Sequence, residues 1–188
     1  MHASRTSGRR SPTAVYTVPR YAFDTAVRFG AGPADAFVYT DISRQTLSLC
    51  AGGRAVRAYP VSTARLGTGN REGSMQTPRG THRIAVMIGR GASSGRIFRR
   101  REDSGTDWDG SANGDDLILT RIMRLEGLED GVNRGPGIDS FDRFIYIHGT
   151  NHEESVGTPA SHGCIRMTNA DVIDLFDRVR EGTLVIID

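Results

Sequence analysis

Lysine is absent from this chain of 188 residues, and all 24 basic residues are arginine. The Gly- and Ser-rich stretch at 89–95 therefore lacks the lysine that a phosphate loop needs, and it also lacks the full dinucleotide pattern. Cysteine is scarce: Cys50 and Cys164 make no disulfide framework. There is no CxxC pair and no HExxH pattern, the usual spacings of a zinc site. No apolar run is long enough to cross a membrane. Residues 1–12 are polar and basic with no apolar stretch behind them, so they do not read as a complete secretory signal. The chain then either works inside the cell, follows an export segment, or leaves by another route. Outside these residues, which hold Arg5, Arg9 and Arg10, the balance is 21 basic to 22 acidic. Such a body offers nucleic acid no partner surface unless its arginines gather on one face. The densest run, Arg99-Arg100-Arg101, reads as a solvated loop face.

What is present is glycine, 23 residues of it, and short β-type runs within an apolar share of 37%. This suits a loop-rich β domain rather than a helical bundle. Residues 1–14 read as a flexible basic tail and 15–188 as a single domain. Strands are expected at 37–40, 45–49, 54–61, 82–88, 117–125, 144–147 and 183–187, with Gly52-Gly53 turning a hairpin. In the second strand Leu47 and Leu49 face one way and Cys50 the other, a free, partly covered thiol. Residues 89–116 look like a long excursion. Within it Asp107, Asp109, Ser111, Asn113 and Asp115 alternate like a calcium loop. Ala112 stands where glycine is needed and Ile118 where the closing glutamate belongs, so a solvated turn is expected. One helix is expected after the cysteine motif, capped by Thr168 or Asn169 and ended by Gly182. Val172, Leu175, Phe176 and Val179 form its apolar stripe.

The chemistry concentrates in residues 161–167, Ser-His-Gly-Cys-Ile-Arg-Met, and in the preceding Tyr146, Ile147, His148, Gly149 and Thr150. A buried structural cysteine prefers apolar neighbours, whereas Cys164 has His, Gly and Arg around it. It reads as a nucleophile, with His148 or His162 to take its proton. Gly149 leaves room for close backbone approach, and its carbonyl can hold the imidazole tautomer. The Gly163 and Cys164 N–H groups can face an oxyanion, and Arg166 a substrate carboxylate or developing charge. Two other readings stay open on spacing alone: a buried thiol beside a satisfied histidine and a salt-bridged arginine, and a zinc site drawn from Cys164, His148, His152 and His162. A metal would occupy the thiolate that acyl chemistry needs.

At these residues the chain resembles the L,D-transpeptidase family, the YkuD or ErfK-like catalytic domain of bacterial cell-wall enzymes. The similarity is sharpest at 147–150 and 161–167 and continues at 169–172 and 182–183. Upstream it includes 60–62, 77–80 and 117–129, so that it covers about 36–188. The resemblance implies a mainly β fold, a twisted β-sandwich with few helices. It implies Cys164 as nucleophile, His148 as general base and acid, and Gly149 as the carbonyl that orients it. His162 would support, Gly163 supply oxyanion backbone, and Tyr146, Ser161 and Arg166 contact substrate. The implied reaction is attack on the L-centre of diaminopimelate in a peptidoglycan stem tetrapeptide, with loss of D-Ala and a thioester on Cys164. The amine of a second stem, a lipoprotein or a D-amino acid resolves it. Water in that role makes an L,D-carboxypeptidase, and a domain without turnover would be a wall-binding module. Neither metal nor cofactor is required, carbapenems are expected inhibitors, and the implied compartment is the cell envelope. The segment at 150–160 is short, so any flap over the cleft comes from elsewhere, with 89–116 the candidate.

Overall fold

The computed structural model describes residues 17–111 and 114–188. The expected tail at 1–14, and Ala112 and Asn113 of the acidic turn, lie outside the described residues. The order is α1 (Arg20–Arg28), β1 (Phe37–Asp41), β2 (Thr46–Ala51), β3 (Arg54–Pro60), β4 (Gly80–Ile88), β5 (Arg96–Arg99), β6 (Glu102–Asp107), β7 (Ile118–Gly127), β8 (Tyr146–Thr150), β9 (Ile165–Met167), α2 (Asn169–Phe176) and β10 (Leu184–Ile187). Among the described residues the architecture is mainly β with two short α-helices, and the strands form one open, twisted sheet that folds over its own core.

The strands that read as continuous apolar runs are buried on both faces. In β1 Val38 enters the main core, while Phe37 and Tyr39 pack with Ala22 and Ala26 of α1 on the other side. The parallel partner β10 does the same, sending Val185 and Ile187 one way and Leu184 and Ile186 the other. Period-two alternation with apolar residues on both faces is what a covered central strand requires. Cys50 belongs to the α1 side and is fully buried rather than partly covered, because α1 closes over the end of β2. That helix has no local signature beyond Ala22 and Ala26 four residues apart. Pro19 precedes it in extended geometry and no side chain caps it.

The long strand β7 is the hub. Ile122 pairs with Ile88 of β4 and with His148 of β8, and Leu119 pairs with Ile97 of β5 and Gly149 of β8. Thus β4 and β5 occupy one edge in succession and β8 the other. Between these pairings Thr120 and Arg121 bulge out of register, with Thr120 at φ +70°. The excursion at 89–116 therefore returns to the sheet and contains the β5–β6 hairpin, turned by Arg100 and Arg101 at positive φ. Strand β8 starts two residues later than its apolar run suggests, so His148 is its central residue rather than its end.

After the cysteine, a three-residue strand intervenes before the helix. Thr168 Oγ1 accepts from Asp171 N at 3.1 Å and opens α2. The helix ends at Phe176, well short of Gly182, and Val179 reaches the same core from the following loop. Val172, Leu175 and Phe176 pack over Ile147, Ile165 and Met167, the inner face of β8 and β9. Replacing Thr168 by Ala removes one cap and should cost about 1 kcal/mol. Urea unfolding should show a lower midpoint at unchanged slope, and an unchanged midpoint would deny the cap its role.

Candidate active site

The position of the cysteine follows from strand register. Strands β8 and β9 run parallel, with Ile147 opposite Ile165, His148 opposite Arg166 and Gly149 opposite Met167. Paired residues share a face, as do alternate residues along a strand. Tyr146, His148 and Arg166 consequently line the face away from the core, with Cys164 one step before β9 on that same face. Arg124 and Ile122 of β7 lie opposite Tyr146 and His148. Two rows thus cross the sheet, Arg124–Tyr146–Cys164 and Ile122–His148–Arg166.

Cys164 is a free, partly exposed thiol. Its Sγ lies 3.4 Å from the Tyr146 N–H, which donates to it, and 3.5 Å from the Phe144 carbonyl, to which the S–H donates. His148 is 3% exposed, and its Nδ1 is 2.7 Å from the Gly149 carbonyl. A carbonyl only accepts, so Nδ1 carries the hydrogen and Nε2 keeps the lone pair. Gly149 has no room for a side chain: a Cβ there would meet Asn169 Oδ1 at 2.4 Å and Leu119 O at 2.8 Å. Asn169 is itself fixed by Thr120 Oγ1 at 2.5 Å, Thr150 O at 2.9 Å and Glu153 Oε1. The imidazole is therefore braced through Gly149 by the start of α2 and by the bulge in β7.

The turn before the cysteine is held from within. Ser161 is buried, donates its hydroxyl to Cys164 O at 2.6 Å and accepts from Gly163 N at 3.2 Å. In the free protein both residues serve the turn: Gly163 has its N–H engaged, and Ser161 is turned inward rather than towards a ligand. Gly163 takes φ +130°, and Thr77 Oγ1 donates to its carbonyl at 2.9 Å. Tyr146 is buried, its ring in an apolar cluster with Phe98 and Ile122.

The charged groups gather around Asp116. Its Oδ2 accepts from Arg166 Nη2 and lies 3.1 Å from His162 Nδ1. Arg166 is 4% exposed and also reaches Ala160 O at 3.4 Å, so its charge is already matched by a carboxylate. His162 is exposed, and its ring faces Asp116. His152 turns to the Asp115 carbonyl at 3.0 Å and to Glu154 at 3.4 Å. Among the described residues, no group of three His, Cys, Asp or Glu side chains is placed to hold a metal ion. Asp116, Thr77, Asn169 and Arg143 are site residues that sequence reasoning missed. Arg143 donates to Gln76 O at 2.7 Å and Gly69 O at 3.0 Å, tying residues 69–76 beside the thiol. Only Thr77 and Asn169 lay in stretches that carried the resemblance, and nothing local marks Asp116 or Arg143.

Burial dominates the protonation of both reacting groups. It pushes the His148 imidazole down to about 4, against the opposing Gly149 contact. It pushes the Cys164 thiol up to about 11, against the Tyr146 N–H. Asp116 and Arg166 act on both groups with opposite sign, and Arg143 adds a second positive charge that lowers the thiol value. The resting pair is neutral thiol and neutral imidazole.

The family model for the YkuD L,D-transpeptidase catalytic domain matches residues 35–187, and the chain belongs to this family. It is 29% identical over 150 residues to a putative L,D-transpeptidase YkuD of Bacillus licheniformis, covering 80% of this chain and 64% of that protein. Over 45 residues it is 56% identical to a putative L,D-transpeptidase YqjB of Bacillus subtilis, covering 24% and 26% of the two chains. The fold is similar to that of L,D-transpeptidase 3 from Mycobacterium tuberculosis, solved with a faropenem-derived adduct. The TM-score is 0.51 and the identity 17%, over 84% of this chain and 61% of the other. The chain thus spans less than two thirds of the length of each of these relatives.

A neutral resting pair predicts how the thiol meets a small alkylating agent. The rate of carbamidomethylation of Cys164 by iodoacetamide should keep rising with pH towards the thiol value of about 11. Peptide mapping separates it from Cys50, which is buried and pushed up to about 12. A plateau reached below neutral pH would reveal a preformed thiolate–imidazolium pair and contradict the neutral assignment.

Proposed function

We propose that this member of the L,D-transpeptidase catalytic domain family is a cysteine acyltransferase that acts on peptidoglycan stem tetrapeptides in the cell envelope. The observation that carries the reading is the shared face of His148 and Cys164, with the imidazole tautomer set by Gly149 O. A histidine with a free Nε2 beside a nucleophilic thiol is the arrangement acyl transfer requires.

Cys164 Sγ attacks the carbonyl of the L-centre of diaminopimelate as its proton passes to His148 Nε2. This is general-base catalysis by a group that starts neutral. Proton transfer accompanies attack because the thiol and imidazole values lie far apart in the resting site. The carbonyl oxygen becomes an oxyanion, with the N–H groups of the 163–164 turn as its proposed donors. Gly163 N–H exchanges its 3.2 Å contact with Ser161 Oγ for it. Collapse breaks the amide bond, His148 returns the proton to the departing D-Ala amine, and a thioester remains. A second amine, from another stem, a lipoprotein or a D-amino acid, attacks the thioester with His148 again taking the proton. Collapse then breaks the C–S bond, and His148 returns that proton to Cys164 Sγ. The energy of the broken amide is kept in the thioester, so neither nucleotide nor metal enters. Water in place of the amine gives carboxypeptidase action through the same steps.

Intact-mass measurement after incubation with a stem tetrapeptide should show transient acylation with release of D-Ala. A faropenem- or carbapenem-class reagent should leave a lasting adduct; the mycobacterial structure carries a faropenem-derived one. Cys164→Ala should abolish both adducts, and His148→Gln should slow acylation by about 10²–10⁴-fold. An adduct that persists in Cys164→Ala would place the nucleophile elsewhere. Product analysis with and without an amine acceptor reports whether transfer or hydrolysis prevails.

A further inference from the structure

The densest basic run of the sequence does not sit on an empty loop face. Arg99 pairs with Glu102 across the β5–β6 hairpin, which leaves Arg100 and Arg101 as a two-residue turn. Both have positive φ, +50° and +73°, in a geometry that Asn-Gly adopts at least cost. Two arginines in left-handed conformation are an outlier of the kind that collects at functional sites. The turn delivers Arg101 to the active site: its guanidinium lies 4.8 Å from the ring centroid of Phe144. Arg124 lies 4.9 Å from the same ring, and 3.4 Å from that of Phe141. Phe144 is 47% exposed at φ +56°, and its carbonyl is the acceptor of the Cys164 S–H.

Two guanidinium groups thus share the ring of Phe144, the residue whose carbonyl accepts the Cys164 S–H. Arg124 is in the same cross-sheet row as Cys164, two strands distant, or roughly 10 Å between backbones at the usual strand spacing. Among the described residues neither Arg101 nor Arg124 has a carboxylate within ion-pair distance, and the Nε of Arg124 is buried with no hydrogen-bond partner. Arg166, by contrast, is committed to Asp116.

We infer that Arg101 and Arg124, spread over the ring of Phe144, form an anion subsite that binds a free carboxylate of the donor peptide close to the bond attacked by Cys164. The inference rests on the proposed peptide chemistry for the identity of the donor. The subsite itself depends only on the geometry around the thiol. Guanidinium groups stacked on an aromatic ring keep N–H edges available to a carboxylate, and stacking limits the freedom lost on binding. Arg124 gives its Nη2 to Phe141 O at 2.7 Å, so Arg101 supplies most of the open edge. In this arrangement the β5–β6 hairpin is the element that reads charge, and Arg166 stabilises the site through Asp116 instead.

Two alkylating agents of similar size test the subsite without any peptide. Iodoacetate carries a carboxylate and iodoacetamide is neutral. The ratio of their rates at Cys164 cancels any change in thiolate fraction. With wild-type protein and Arg101→Gln, the iodoacetate-to-iodoacetamide ratio should fall by about 5–10-fold in the variant, the size of a charge-assisted contact. Arg101→Lys should recover part of it. An unchanged ratio in Arg101→Gln would overturn the subsite, as would an equal fall in Arg101→Lys and Arg101→Gln, since a lost ring stack rather than lost charge would then be responsible. Tetrapeptide turnover, measured separately, tests the donor: with wild-type protein inactive on every stem peptide, the proposed reaction fails while the alkylation ratio still reports the subsite.

Discussion

Everything at the site depends on the parallel pairing of two short strands. His148 and Cys164 are sixteen residues apart in sequence, and β8 and β9 bring them together through only three register pairs. A shift of one residue would turn Cys164 and Arg166 into the core and put Ile165 on the reactive face, because side chains alternate with period two. The register is specified by burial on the inner face. Ile147, Ile165 and Met167 are all fully buried beneath α2, so a slip would move three apolar side chains out of a packed core. Hydrogen bonds between Ser62 and Arg166, N–H to carbonyl in both directions at 2.8 and 2.9 Å, close the free edge of β9 and hold the same register from the other side.

That frame explains the electrostatics. The imidazole and the thiol sit on a covered face, and desolvation moves each towards its neutral form. The two charges of the Asp116–Arg166 ion pair act oppositely on both groups, and burial outweighs each of them. The thiol is thereby held mostly in its protonated form. The tautomer, not the charge, prepares His148 for its task, and the 2.7 Å contact to Gly149 O sets it. Gly149 has no Cβ, and Asn169 Oδ1 and Leu119 O occupy the space one would need, which fixes the peptide that carries this carbonyl.

Much of this was legible in the sequence, and what was not has physical reasons. The central strands β1 and β10 announce themselves by continuous β-branched and aromatic runs. Thr168 and Asp171 mark the start of α2. The motif residues around Cys164 declare their chemistry because a thiol among His, Gly and Arg is unusual for packing. The strand β9 was hidden because three residues give no periodicity, and its partner lies far off in sequence. Helix α1 was hidden because it has no side-chain cap and buries only two alanines. The β5–β6 hairpin turns through arginines instead of Gly or Asn, so its turn carries no signal, and β6 is exposed along its whole length. Asp116 illustrates the limit best. Its role comes from a non-local meeting with His162 and Arg166, and no local pattern distinguishes it from the acids beside it.

The most direct measurement of the account is the ring nitrogen NMR of His148 in the free protein, recorded from about pH 5 to about pH 8. A neutral imidazole with hydrogen on Nδ1 and a lone pair on Nε2 is predicted throughout. An imidazolium at neutral pH, or hydrogen on Nε2 instead, would contradict the claim that the Gly149 carbonyl and burial together hold His148 ready as a base for Cys164.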